Sequence, residues 1–121
     1  MALVAKSAPP NSVVLLSDAM GGEIPPTMHG KTISATDSCV AVGCMAEDDG
    51  ETEFTLGTLS ELERPEPPAY QGVLKTPSRR VVLRSVLGGE LLSLRVNGDV
   101  TRVTIWTNDI SEPDHVVVAV R

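Results

Sequence analysis

The chain has 121 residues, of which 41% are hydrophobic, and a formal net charge of −6. At this length one core can bury ~65% of the unfolded surface and needs no metal or disulfide to staple it. No stretch approaches the ~18 apolar residues that span a bilayer, and no basic block or aromatic-rich segment offers the footprint of a nucleic-acid binder.

Residues 1–12 contain Pro9-Pro10-Asn11-Ser12 and are expected to form an irregular lead-in. They carry no basic segment followed by a long apolar one, so no secretory signal is read there and a cytoplasmic location is expected. Val13–Ser17 is a short apolar run that predicts a buried strand. Asp18–Met28, with Gly21-Gly22 and Pro25-Pro26, predicts a long loop, and Gly30–Ser34 a short edge strand. Cys39–Met45 and Glu51–Leu56 alternate and flank Glu47-Asp48-Asp49-Gly50, which predicts a hairpin over residues 39–56. Leu59–Ala69 is acidic and rich in proline. One helical turn fits at Leu59–Arg64, and Pro65, Pro67 and Pro68 forbid more. This segment is expected to carry the chain from one sheet to the other.

Tyr70–Thr76 reads as a weak strand, Pro77–Arg80 as a turn and Val81–Leu87 as a strong strand ended by Gly88-Gly89. Leu91–Val96 and Thr101–Thr107 flank Asn97-Gly98-Asp99, the strongest hairpin signal in the chain. His115–Val120 closes it after a loop with Pro113. About eight short strands follow, with one Phe (Phe54), one Tyr (Tyr70) and one Trp (Trp106). A core of aliphatic and β-branched side chains suits sheets packed face to face. The expected fold is all-β: one domain over 1–121, an antiparallel β-sandwich, with a jelly roll as one way of connecting it.

Several patterns resemble reactive chemistry without completing it. Gly30-Lys31-Thr32 looks like the end of a phosphate loop, but Pro25 stands where the first glycine belongs and no helix signal follows. Glu47–Glu51 suggests a calcium loop, yet Met45 and Leu56 occupy ligand positions. Cys39 and Cys44 would lie ~16 Å apart on opposite faces of a strand, which predicts two reduced thiols. His29 and His115 are the only histidines, with no third ligand in sight, so no metal and no cofactor are expected. No nucleophile elbow, metalloprotease helix or dinucleotide fingerprint is present. The chain is expected not to be an enzyme, although a Ser–His–Asp set drawn from distant segments stays open. A ligand or carbohydrate site would instead bring His29 or His115 near Asp18, Asp37 or Asp109.

Trp106 is the most informative residue. Val103 and Ile105 share one face of its strand, and Arg102, Thr104 and Trp106 share the other. Two readings follow: an exposed anchor for a partner, or an indole covered by a loop such as Asp18–Met28 with its N–H bonded. Arg95 and Arg102 flank the Asn97-Gly98 turn and would be neighbours across a hairpin, within a basic set that adds Arg79, Arg80 and Arg84. The loop after Trp106 contributes Asn108 and Asp109, and His29 lies in the Pro/Gly loop. The candidate binding set is therefore Trp106, Arg95, Arg102, Asn108, Asp109 and His29.

One resemblance runs through residues 39–120: an acidic turn followed by Phe54, a Gly- and Pro-marked strand (Gly72–Pro77), Arg102–Trp106, and Pro113-Asp114 before a Val-rich strand. This order resembles small bacterial β-sandwich proteins of the ComJ type, competence-associated nuclease inhibitors. The resemblance implies an inhibitory or regulatory protein binder without catalysis, and it carries over no binding residue. A protein partner is thus expected, with homo-oligomers through an edge strand as an alternative and with neither nucleic acid nor membrane.

Overall fold

Alternation decides the layers: wherever β-branched or leucine side chains recur at every second position, that row faces the space between two sheets. The computed structural model describes residues 2–28 and 30–121. Its strands are β1 (Leu3–Ser7), β2 (Val13–Asp18), β3 (Ile33–Ala35), β4 (Cys39–Gly43), β5 (Thr52–Thr58), β6 (Tyr70–Lys75), β7 (Arg80–Ser85), β8 (Glu90–Arg95), β9 (Val100–Thr107) and β10 (His115–Val120), with one short helix, α1 (Leu59–Leu62), between β5 and β6. The first sheet has the order β1-β5-β10-β9-β6 and the second β3-β4-β2-β7-β8. Every described neighbour pair is antiparallel except β5–β10, which is parallel.

The core lies between the sheets. Val14, Leu16, Val40, Val42, Val81 and Leu83 of the second sheet meet Phe54, Leu56, Val103, Ile105, Val116 and Val118 of the first. Phe54, Leu56, Val103 and Ile105 are fully buried. The all-β sandwich expected from the sequence is therefore the architecture found. Cys39 and Cys44 are unpaired, buried and in different clusters, Cys39 with Leu15 and Ala41 on the outer face and Cys44 in the central core.

Several expectations are corrected. There are ten strands among the described residues rather than about eight, because the lead-in holds β1, which pairs with β5 from Leu3↔Leu56 to Ser7↔Thr52. Neither expected hairpin exists. β4 and β5 lie in different sheets, and so do β8 and β9. The turns at Glu47–Gly50 and Asn97–Asp99 are arches that carry the chain across the sandwich. An arch lets Leu92 and Leu94 of β8 face the core across from β1 and β5 instead of lying beside β9, and it leaves both edges of β9 for β6 and β10. The Asn97–Asp99 arch is pinned by the neighbouring corner. The Thr76 amide donates to the Asp99 carbonyl at 2.8 Å and the Thr76 hydroxyl to the Gly98 carbonyl at 2.8 Å.

The acidic segment 59–69 does not change sheets either. It joins β5 to β6 within the first sheet and lies against that sheet's outer face. Leu62 packs over Gly57, where an added Cβ would come within 3.0 Å of the leucine methyl. The single helical turn forms where it was expected, with the Glu61 carboxylate accepting the Thr58 amide at 3.1 Å. On the other sheet the long loop after β2 lays Met28 on Leu15, Cys39 and Ala41. Each sheet thus has one long connection as an outer cover.

Candidate functional site

Trp106 is 6% exposed. Its Nε1–H donates to the Glu66 carbonyl at 2.8 Å, and the Arg64 guanidinium lies 5.7 Å from the ring centre. The indole is covered by the proline-rich segment of its own sheet, not by Asp18–Met28. Trp106 holds that segment down and is not a free anchor.

The arginines divide between the sheets: Arg80, Arg84 and Arg95 share the outer face of the second sheet and Arg102 belongs to the first. Arg95 lies opposite Arg80 on β7, so the two cations are cross-strand neighbours, and Arg102 lies opposite Val73 on β6 in the other sheet. The expected Arg95–Arg102 contact is therefore absent, because the hairpin that would create it is an arch. Arg80 donates to Ser93 Oγ at 2.7 Å, and Arg84 to Ser17 Oγ at 3.1 Å and to the Asp18 carbonyl at 3.2 Å. Arg95 lines a small cleft with Asn97, Glu63 and Arg121, while Arg102 lines another with Val73, Val100 and Arg121.

Asn108 and Asp109 stand on a larger groove of about 1180 Å³. It opens between the edge strand of each sheet, β3 and β6. One wall is the run from Lys31 to Thr36, the other is Ala69 and Tyr70, and Pro25, Pro67 and Ile110 form the ends. Ile110 is 87% exposed. Tyr70 is placed by Gly72, since an added Cβ at that glycine would sit 2.2 Å from the phenol oxygen. Burial pushes the Tyr70 hydroxyl above its usual range. The Thr32 hydroxyl donates to the Ile110 carbonyl and ties β3 to the β9–β10 loop.

That loop is built by its own polar side chains. Asn108 Oδ1 accepts the amides of Asp114 and His115, each at 3.1 Å, and Asn108 Nδ2 donates to Asp114. Asp109 accepts the amides of Ile110 at 2.9 Å and Glu112 at 3.1 Å. Hydrogen bonds from His115 and then Asn108 hold Asp114 below the usual carboxylate range. Gly30-Lys31-Thr32 runs into strand β3 and not into a helix.

His115 bonds Asp114 at 3.0 Å and lies 3.9 Å from Glu53. It does not approach Asp18, whose carboxylate is held by Ser78 and Met20, or Asp37, which pairs with Lys75 at 2.9 Å. His29 lies outside the described residues. Among the described residues no group of three or more His, Cys, Asp or Glu is placed to hold a metal, and no helix is long and apolar enough to cross a membrane. Burial pushes the Cys39 thiol up to about 11 despite the opposing charge of Arg84, and burial raises Cys44 as well. Both thiols are poor nucleophiles at neutral pH.

Sequence reasoning missed the β3 and β6 walls of the groove because three segments distant in the chain, 25–36, 67–70 and 107–110, build it. The available signals were a short edge strand near Pro25-Pro26 and a second edge strand entered from Pro67-Pro68.

The fold and groove define a two-sheet β-sandwich with an open seam along one side. Among solved structures, ComJ from Bacillus subtilis, an inhibitor of the DNA-degrading activity of NucA, is similar over 98% of this chain and 93% of its own, with a TM-score of 0.66 at 12% identity. The product of crocagin biosynthetic gene J is similar over 99% of this chain and 97% of its own, with a TM-score of 0.52 at 13% identity. No protein-family model and no curated protein matches the chain. The likeness is one of fold, and it agrees with the resemblance read from the order of sequence features.

Proposed function

We propose that the chain is a non-catalytic protein-interaction module, an inhibitor or accessory protein that acts in the cytoplasm of a bacterial cell. The observation that carries this reading is the end-to-end likeness to ComJ, whose named role is to inhibit another protein. Two features of the chain support it. The groove between β3 and β6 runs along a strand edge and combines proline and apolar surface with polar side chains, among them Lys31, Asn108 and Asp109, a lining suited to an extended chain. The net charge of −6 suits a basic partner, and a DNA-degrading nuclease, whose substrate surface must neutralise phosphates, is the first partner to test.

The test is affinity capture from the native host, followed by reconstitution of the captured protein with this chain and titration of its activity. The expected result is a stoichiometric complex, with activity falling to a plateau at one equivalent if the partner is an enzyme. A chain that captures only background proteins, and that carries a small molecule in native mass spectrometry, would overturn the reading in favour of ligand binding in the same groove.

A further inference from the structure

We infer that the seam between β3 and β6 receives an extended, basic segment of the partner, which adds as a strand to the free edge of β3. The inference rests on the interaction-module reading and specifies how that partner is held.

The backbone argument comes from register. The Gly43 amide donates to Thr32 at 2.7 Å and the Thr36 amide to Cys39 at 2.9 Å. With Ser34 opposite Ala41 between them, positions 32, 34 and 36 spend their backbone groups on β4. Antiparallel pairing alternates strictly, so Ile33 and Ala35 direct an amide and a carbonyl each away from the sheet and toward the groove. Unpaired groups of this kind are a template for another strand. The chain already uses the same device on the facing edge. Thr76 is bonded to Asp99, so Gln71, Val73 and Lys75 of β6 point their backbone groups outward, and the Lys75 amide donates to the Asp37 carbonyl at 2.9 Å. Asp37, two residues past β3, therefore makes the kind of bond proposed for the partner, and it closes that end of the seam.

Charge selects the occupant. The charged residues of the lining are Asp109 and Lys31, and the segments that form its rim add Glu23, Glu66 and Glu112 against Arg64, an excess of acid around the groove. An extended segment entering past Ile110 would bring a lysine or arginine beside Asp109. The pyrrolidine and phenol surfaces of Pro25, Pro67 and Tyr70 give its alternate side chains an apolar floor.

The probe is a phage-displayed library of unconstrained dodecapeptides panned on the whole chain. The best binder is then synthesised and its affinity measured by fluorescence polarisation. Ala35→Pro is the discriminating variant. The Ala35 amide makes no ladder bond, so proline is compatible with the edge while removing one donor and blocking strand addition. The expected results are basic peptides, a loss of affinity of at least about tenfold on Ala35→Pro, a smaller loss with a weaker salt dependence on Asp109→Asn, and slowed amide exchange at Ile33 and Ala35 in the unsubstituted chain. The exchange measurement stands even if Ala35→Pro fails to fold. No enrichment, equal binding by Ala35→Pro, protection at another edge, or β3 pairing with a second copy of the chain would each overturn the proposal. A partner that is captured and inhibited equally well by Ala35→Pro would leave the interaction reading standing and remove this one.

Discussion

Trp106 stands on a face whose sequence, Arg102-Val103-Thr104-Ile105-Trp106, reads as apolar on one side and polar on the other, yet Thr104 and Trp106 on the polar side are both buried. Side-chain period tells which residues share a face but not what lies on that face, so the cover over Trp106 could be weighed from the sequence but not assigned. With the indole under residues 63–69, its fluorescence is expected to resist acrylamide quenching; ready quenching would show the cover to be absent in solution. Trp106→Ala should destabilise the chain by about 3 kcal/mol or more through lost packing. Trp106→Phe, which removes mainly the bond to Glu66, should cost about 1 kcal/mol; urea denaturation measures both. A second residue acts through charge. Asp18 is 1% exposed and ends β2. Burial alone would raise its pKa, but hydrogen bonds from the Met20 amide and from the Ser78 hydroxyl and amide outweigh it, and the carboxyl is held below its usual range. A depressed carboxylate stabilises the fold fully above the unfolded pKa, ~3.9, and that contribution is lost as pH falls through the lowered folded value. Asp18→Asn should therefore be less stable than the parent chain near neutral pH by on the order of 2 kcal/mol. The two melting curves should converge as pH drops below the lowered pKa. A gap that stays constant with pH would assign the loss to geometry alone.

At the scale of elements, strand positions and inward faces were largely legible, and partners were not. The Thr52-Phe54-Leu56 and Val103-Ile105 rows face the core as alternation predicts. Asn97-Gly98 nevertheless forms an arch, because a turn sequence favours a reversal of the chain without specifying whether the returning strand lies beside the first or across from it. The deciding contacts come from residue 76, more than twenty positions upstream, where no local signal could reveal them. Thr76 and Thr101 are buried, their hydroxyls are 2.8 Å apart, and the Thr76 hydroxyl also reaches the Gly98 carbonyl. Thr76→Val should cost about 2 kcal/mol, since it strands buried polar partners. In Thr76→Val/Thr101→Val the two hydroxyls disappear together, so the double variant should lose less than the sum of the singles, with a coupling of about 1 kcal/mol in a double-mutant cycle. Additive losses would mean that the hydroxyl pair does not hold the arch. The candidate site divides in the same way. Asn108 and Asp109 could be named from a polar loop after a strand. Their neighbours Ile33, Ala35 and Tyr70 reach the groove only through sheet order.

The whole molecule is interleaved. The first sheet takes β1 and β5 from the first half of the chain and β6, β9 and β10 from the second; the other sheet takes β2, β3 and β4 from the first half and β7 and β8 from the second. In the first sheet β10 sits beside β5, and in the other β7 sits beside β2, so each sheet is joined across the midpoint of the chain. Neither half can complete a sheet, and the core rows of Phe54 and Leu56 would face water if the second half were missing. Only β3–β4, β7–β8 and β9–β10 pair consecutive strands, and the other five described pairings join segments far apart in the chain, so closing the long loops costs entropy before the core rewards it. The chain should therefore unfold as one cooperative unit and refold on the slow, millisecond-to-second side typical of sandwiches. In urea, the transition followed by Trp106 emission, which reports the outer cover of the first sheet, should coincide with that followed by far-ultraviolet circular dichroism, which reports both sheets. A fragment ending within residues 59–69 should show no cooperative transition. An indole signal lost at lower urea than the sheet signal would show that segment 59–69 detaches on its own. A fragment that melts cooperatively would show that the two halves are separable after all.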